Sequence, residues 1–241
     1  MRSGRHYRNG ESAMTPRNFA GSRERLFKDR AKPARWSGVF RSDASVFFRE
    51  SIRSLSVSAS LFPSSRHLTE ALLRFVDFSR IEVMIELGVG TGAITSGILA
   101  HLRPDARLYA IDLNPVFIRH IQSRIRDRRL IPVLGRAEQL QALMNSLRIR
   151  KADAIVSSLG LTNMEDGQRS EIMGQAVDCL APRGLLSQYQ YLHASGEPNW
   201  LGRVGLKRFQ EEEFLRRYFG TVSSERVMRN LPPATVFTCR R

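Results

Sequence analysis

Cysteine and long apolar runs are both scarce in this 241-residue chain. Its two cysteines, Cys179 and Cys239, are too few for a metal cluster and require no disulfide, so we expect two reduced structural thiols. No apolar run reaches about 18 residues, which excludes a bilayer-spanning helix. The amino terminus lacks the apolar core of a secretory signal, which favours a cytoplasmic protein.

Acidic residues are also few. The chain has 23 Asp and Glu against 38 Lys and Arg, a formal net charge of +15 at pH 7. Such an excess predicts a polyanionic partner, either nucleic acid or an anionic membrane surface. No cluster of acidic residues suggests a metal site, and the five histidines are dispersed along the chain, so the sequence predicts no bound metal. The histidines are His6, His67, His101, His120 and His193.

The amino-terminal quarter of the chain divides into two segments. Residues 1–38 are basic with weak periodicity, and we expect a disordered tail there. Residues 39–57 have apolar and basic positions at helical spacing, which predicts an amphipathic helix. We expect it to lie on an anionic leaflet at the inner face of the cytoplasmic membrane, although packing on its own domain is the ordinary alternative. The predicted membrane-binding residues are Arg41, Phe47, Phe48, Arg49, Ile52 and Arg53.

The sequence pattern of residues 58–241 predicts one α/β domain with a Rossmann-like sheet of seven strands. Alternating strands and helices indicate a parallel sheet covered on both faces, and the short link between the last two strands indicates an antiparallel hairpin at its edge. The predicted strands are Val83–Leu87, Arg107–Ile111, Leu130–Leu134, Ala152–Ser157, Leu185–Tyr191, Val222–Met228 and Ala234–Arg240. The predicted helices are Thr91–Leu102, Pro115–Arg128, Ala137–Leu147, Asp166–Leu180, one near Gln210–Tyr218, and one capped by Ser64 that ends near Asp77.

A glycine-rich turn joins the first strand to its helix. Its G-x-G-x-G spacing differs from the G-x-G-x-x-G of dinucleotide-binding proteins. The acid just before it would repel a pyrophosphate but suits a ligand with an ammonium and a sulfonium. The turn therefore predicts an S-adenosylmethionine site formed by Glu86, Gly88, Gly90, Thr91 and Gly92.

Residues that follow the next strands extend this site. Asp112 is placed to accept hydrogen bonds from both ribose hydroxyls, or to cap the helix at Pro115. Adenine would lie against Ala137 and Glu138, which alternatively begin a helix. The remaining predicted cofactor contacts are Leu113 and Ser157.

The segment after the fourth strand argues against a nucleobase substrate. Methyltransferases of base amines usually have an Asn/Asp-Pro-Pro-Tyr motif there, to stack a flipped base. This chain has Ser157-Ser158-Leu159-Gly160 instead, without an aromatic residue. An RNA methyltransferase, supported by the basic composition, remains an alternative.

Five motifs in order resemble the bacterial phospholipid N-methyltransferases, a family of class I S-adenosylmethionine-dependent methyltransferases. They are Phe62–Leu68, Glu86–Gly92, Ser157–Asn163, Gln188–Tyr191 and Asn230–Ala234. The resemblance implies stepwise methylation of phosphatidylethanolamine toward phosphatidylcholine, with ornithine lipid or another aminolipid as the alternative acceptor. It further implies an aminophospholipid substrate and an anionic phospholipid membrane as partners.

The same resemblance assigns the acceptor site. Tyr191 would orient the amine through its hydroxyl, and its ring with that of Tyr189 would hold a methylated ammonium by cation–π attraction. Gln188 would orient the headgroup. The implied substrate-binding residues are Ser64, Ser158 and Asn163.

Overall fold

The computed structural model describes residues 65–192 and 210–241. Its helices are α1 Arg66–Leu73, α2 Ala93–His101, α3 Pro115–Arg124, α4 Leu140–Ser146, α5 Asp166–Cys179 and α6 Glu211–Leu215. Its strands are β1 Val83–Leu87, β2 Arg107–Asp112, β3 Leu130–Leu134, β4 Ala152–Ser157, β5 Leu180–Tyr191, β6 Thr221–Val227 and β7 Ala234–Arg240. The predicted tail 1–38, the helix 39–57 and the predicted substrate residue Ser64 lie outside the described residues.

The seven strands form one sheet in the order β3-β2-β1-β4-β5-β7-β6. Strands β1 to β5 are parallel, whereas β7 is antiparallel to both β5 and β6. The predicted α/β fold and its antiparallel hairpin are therefore confirmed. The carboxyl ends of β1 to β5 meet at one edge of the sheet, the carboxyl edge, where ligands bind in open parallel sheets.

Side chains on the two faces of the sheet form two core clusters. One cluster packs α1, α2 and α3 against the sheet through residues such as Leu68, Ile98 and Ile121. The other packs α4, α5 and α6 through residues such as Met144, Met173 and Leu215. The result is a three-layer domain in which the sheet lies between two layers of helices. Cys179 and Cys239 are free and buried in the second cluster.

Local chemistry explains where the helices begin and end. Ser65, rather than the predicted Ser64, caps α1, since its hydroxyl accepts the Leu68 N–H at 3.3 Å. Helix α3 begins at Pro115 but ends four residues earlier than predicted, because Ile125 is already extended. The predicted helix from Ala137 starts as a 3₁₀ turn and becomes α-helical only at α4.

The turn between β6 and β7 fixes the start of α1. The buried Asn230 accepts the Ser65 N–H at 3.1 Å and donates to the Pro232 carbonyl at 2.6 Å. The Leu231–Pro232 peptide bond is cis. Ser65 and Asn230, which are 165 residues apart in the sequence, are thus in direct contact.

Candidate active site

The glycine loop turns sharply between β1 and α2. Gly88, Gly90 and Gly92 all have positive φ angles, of 80°, 49° and 82°. At Gly90, a built Cβ atom would meet nothing of the described chain within 4 Å. Because this backbone is both left-handed and open to its surroundings, it allows a ligand to approach closely.

Asp112, at the end of β2, organises this loop. One carboxylate oxygen accepts the Val89 and Gly90 N–H groups at 2.9 and 3.4 Å, and the other accepts the Asn114 N–H at 2.8 Å. The helix-cap alternative for Asp112 is wrong, because the Asn114 side chain caps α3 by accepting the Val116 N–H. The Asp112 carboxylate keeps lone pairs for further donors.

Glu86 is a fully buried carboxyl directly beneath the loop. One of its oxygens accepts the Thr95 hydroxyl at 2.7 Å, and the other has no hydrogen-bond partner within the described structure. Burial raises the pKa of Glu86 to about 8, and the charge of Asp112 also raises it. An unpaired buried acceptor of this kind favours a ligand that brings a donor or a positive charge.

These groups fit S-adenosylmethionine. The free oxygen of Glu86 suits the ammonium, the open backbone at Gly90 admits the ligand, and Asp112 has capacity for ribose hydroxyls. Thr91, within the loop, and Leu113, which follows Asp112, are both exposed. When bound, this cofactor supplies an electrophilic methyl group.

The predicted adenine contacts follow β3. Ala137 and Glu138 are half-buried in the 3₁₀ turn. The Glu138 carboxylate accepts hydrogen bonds from Gln168 at 2.7 Å and Arg136 at 2.9 Å. Burial raises the pKa of Glu138, but hydrogen bonds from its own N–H, Gln168 and Arg136 leave it below the usual range. Glu138 therefore remains ionised and holds α5 beside the turn.

The ends of β1, β4 and β5 form one row, in which Leu87 pairs with Ser157 and Ser157 with Gln188. Ser157 is fully buried, and its hydroxyl accepts the Leu159 N–H at 3.3 Å. The next residue, Ser158, has a buried hydroxyl without a partner in the described residues, and its Cβ would lie 3.5 Å from a Cβ built on Gly88. The Ser158 hydroxyl is therefore available beside the glycine loop.

Tyr189 and Tyr191 form an aromatic pair at the end of β5. Their ring centroids are 5.3 Å apart with an interplanar angle of 73°, an edge-to-face contact. Both rings pack against the cluster on the α1 side of the sheet. Burial raises the pKa of Tyr189 above its ordinary range, as do the charge and hydrogen bond of Tyr191. Both are half-buried, which leaves part of each ring accessible.

Gln188 does not occupy the position that the sequence predicted for it. Its side chain is completely buried and lies on the sheet face opposite the two tyrosines, since successive residues of a strand alternate. The amide nitrogen donates to the carbonyls of Leu159 and Tyr189, at 2.8 and 3.0 Å. Because its amide nitrogen is engaged in these bonds, Gln188 holds the loop after β4 and does not orient a substrate headgroup.

Asn163 ends the 3₁₀ turn Leu161–Asn163 after β4 and is exposed. Its backbone N–H donates to Gly160, and its amide nitrogen would lie 3.4 Å from a Cβ built on Gly160. The side chain therefore folds back over its own turn, and its predicted substrate contact stays a prediction.

Sequence reasoning missed three residues that build the site. Thr95 pairs with Glu86, Asn114 caps α3, and Asn230 anchors α1. Asn114 before Pro115 is a local capping signal that the sequence carries. Thr95 and Asn230 act on residues of other elements, and no local pattern reveals such pairing.

Two classes of feature are not found in the part of the chain described. Among residues 65–192 and 210–241, no three His, Cys, Asp or Glu side chains come together as metal ligands. None of the described helices is long and apolar enough to cross a membrane.

The proteins described below, to which this chain is similar, are methyltransferases. A family described as a methyltransferase domain matches residues 85–186. The ornithine lipid N-methyltransferase of Singulisphaera acidiphila is 30% identical over 183 residues, which cover 76% of this chain and 88% of that protein.

Solved structures share the fold. The 1,6-didemethyltoxoflavin-N1-methyltransferase of Burkholderia thailandensis, with bound S-adenosylhomocysteine, has a TM-score of 0.59 at 17% identity and covers 85% of this chain and 92% of its own. The N-methyltransferase NodS of Bradyrhizobium japonicum has a TM-score of 0.52 at 21% identity, and the match covers 73% of this chain and 95% of NodS. At these identities the likeness shows the fold alone.

Together, the fold, the glycine loop and the similar proteins define this chain as an S-adenosylmethionine-dependent methyltransferase. Its described residues contain no metal-binding group. The chain belongs to the class I methyltransferases, and its identity to the Singulisphaera enzyme places it among their N-methyltransferases. The predicted cofactor is confirmed.

Proposed function

We propose that this enzyme methylates the amine of an aminolipid headgroup at an anionic membrane surface. The observation that carries the proposal is the 30% identity to an ornithine lipid N-methyltransferase over 88% of that protein's length. Ornithine lipid is accordingly the first acceptor to test. Phosphatidylethanolamine, which the sequence motifs favoured, is the second.

The aromatic pair on β5 supports an amine acceptor. Tyr191 lies three residues beyond the row formed by Leu87, Ser157 and Gln188, about 10 Å further along the strand. Its ring and that of Tyr189 share the sheet face on which Glu86 and α1 lie. A methylated ammonium against these rings would gain about 0.5–2 kcal/mol by cation–π attraction.

The residues of the site would act mainly by positioning. Methyl transfer is an in-line displacement, so the rate depends on holding amine and methyl group in line. The acceptor must first lose its ammonium proton to water or to a nearby oxygen ligand, and the Tyr191 hydroxyl would then orient the neutral amine. The partnerless Ser158 hydroxyl lies beside the loop and would orient the headgroup.

One assay separates the candidate substrates. Purified enzyme receives radiolabelled S-adenosylmethionine with vesicles containing ornithine lipid, vesicles containing phosphatidylethanolamine, or total RNA. We expect label in a lipid headgroup and none in RNA. Label in RNA alone would reject the proposal in favour of an RNA methyltransferase, which the basic composition leaves as the alternative.

Tyr191→Phe tests the acceptor site. Removal of the hydroxyl should lower kcat while the affinity for S-adenosylhomocysteine stays constant, because the residue acts on the amine alone. Tyr109→Phe, on β2, is the control and should change neither quantity. A Tyr191→Phe enzyme with normal kcat would remove this hydroxyl from the mechanism.

A further inference from the structure

Two large apolar side chains project from the turn between β6 and β7. Met228 and Leu231 are 65% and 60% exposed. Between them, Asn230 is buried and tied to Ser65 and Pro232, so the turn has a defined conformation. An anchored turn with two exposed apolar tips suggests contact with an apolar phase.

Arginines surround these tips. Arg226, near the end of β6, and Arg229, in the turn, are exposed, and Arg66, which follows the anchored Ser65, has a side chain that is 89% exposed. The nearby carboxylates are paired with arginines: Glu70 with Arg66 at 2.7 Å and Glu225 with Arg74 at 2.7 Å. Residues 228–233 themselves contain no acid. We call Arg66, Arg226, Met228, Arg229 and Leu231 the turn surface.

The turn surface lies at the same edge of the sheet as the acceptor site. Val227, the last residue of β6, pairs with Ala234, and Ala234 pairs with Tyr191. The Leu192 N–H also donates to the Pro233 carbonyl at 2.9 Å. A phase that contacts this turn is therefore adjacent to the end of β5.

We propose that the turn surface docks on an anionic lipid bilayer, with Met228 and Leu231 in the interface and the arginines on lipid phosphates. Apolar tips with a basic rim are complementary to that boundary, where arginine attracts anionic headgroups and apolar side chains reach the acyl region. The inference rests on the proposed function, since it presents the β5 acceptor site to lipid headgroups. It is independent of residues 39–57.

The opposite edge of the sheet provides the control. Arg183, Arg240 and Arg241 line a cavity of about 610 Å³ there, together with Asp77 and Asp153. Thr221, at the start of β6, pairs with Arg240 at that edge and is exposed. If net charge alone attracted the protein to the membrane, both edges of the sheet would contact lipid equally. Docking by the turn surface brings only the carboxyl edge into contact with lipid.

A fluorescent label distinguishes these cases without any need for activity. The native Cys179 and Cys239 are buried, so an environment-sensitive dye will react with a cysteine introduced by Met228→Cys or by Thr221→Cys. In the full-length protein with phosphatidylglycerol vesicles, we expect a blue shift and higher intensity for the label at position 228 only. Equal responses at both positions, or none at 228 on bound protein, would overturn the proposal.

Substitution separates docking from catalysis. Arg229→Gln should lower the partition of the protein onto phosphatidylglycerol vesicles about fivefold, and Leu231→Ser should lower this partition by a larger factor. The control Arg183→Gln should lower it by less than either. Methylation of vesicle lipid should fall in proportion to partition, while methylation of a short-chain, monomeric aminolipid stays unchanged.

A different result would overturn the proposal. If the wild type forms a dimer that the Leu231→Ser substitution dissociates, the turn surface is an interface with a second copy of the chain instead. Failure of all methylation would reject the proposed function but leave the label experiment valid.

Discussion

Asp112 illustrates how one residue serves the loop and the ligand together. Its carboxylate holds two N–H groups of the glycine loop and one at the start of α3. A ribose that adds hydroxyl donors would bind a carboxylate already fixed in place. Such preorganisation lowers the entropic cost of ligand binding, because the carboxylate is already ordered before the ligand arrives.

Asp112→Ala and Gly90→Val should each weaken S-adenosylhomocysteine binding, by about 1.5–3 kcal/mol. The first removes charge-assisted hydrogen bonds, and the second puts a side chain where the backbone is open to the ligand. Titration calorimetry measures both. Asp178→Ala, an exposed position on α5, serves as the control. Unchanged affinity in both site variants would contradict the assignment of this loop.

Glu211 makes the stability of the protein depend on pH. It is 2% exposed, and burial raises its pKa to about 8 although a hydrogen bond with the Gln188 side chain opposes the rise. Between its ordinary value of 4.5 and about 8, the folded protein retains a proton that the unfolded chain releases. The free energy of unfolding therefore falls as pH rises through that window.

Glu211→Gln should flatten this dependence, since an amide does not titrate. Urea unfolding at pH 5 and pH 8.5 should show a smaller loss of stability in the variant than in the wild type. Part of the slope will remain, because Glu86 is buried with a similarly raised pKa. Glu213→Gln changes an exposed carboxyl on the same helix and should leave the wild-type slope intact.

At the scale of elements, α1 is attached to the β6–β7 hairpin at three points. Asn230 bonds Ser65 at one end of the helix, Arg74 pairs with Glu225, and the Arg240 guanidinium donates to the Phe75 carbonyl at 3.3 Å. Helix α1 also packs against β5 and β7. The helix and the hairpin therefore behave as one unit.

Asn230→Ala should destabilise the fold by about 1–3 kcal/mol, because it leaves the Ser65 N–H and the Pro232 carbonyl without their partner. Urea unfolding gives the value. Asn145→Ala, on the exposed side of α4, provides the comparison and should have little effect. Equal stability of the two variants would mean that water replaces the Asn230 bonds.

The elements were more predictable from the sequence than their contacts. Alternating apolar strands and helices determined the parallel sheet, and the short link before Ala234 indicated the hairpin. Which face of β5 meets the loop after β4 depends on packing between distant segments. For this reason the sequence predicts a headgroup contact for Gln188, whereas in the structure its amide donates to the Leu159 carbonyl. The bond between Ser65 and Asn230 likewise has no local signal in the sequence.

At the scale of the whole molecule, the net positive charge should strengthen attachment to anionic membranes. With a charge of +15, co-sedimentation should increase with the anionic lipid content of vesicles. It should decrease from low salt to 0.5 M salt, because the screening length becomes shorter than 10 Å. Deletion of residues 1–57 tests the predicted tail and helix. Equal binding to neutral and anionic vesicles would reject the electrostatic attraction.

The bond between Ser65 and Asn230 has a consequence for biosynthesis. A ribosome adds about 5–20 residues per second, so α1 would emerge roughly ten seconds or more before the hairpin on which it docks. During that interval the nascent chain would have the glycine loop and β1 to β5 available, but α1 would lack its hairpin partner. A nascent chain stalled before Asn230 should therefore expose Leu68 and Leu72 to chaperones and proteases, and translation through β7 should protect them.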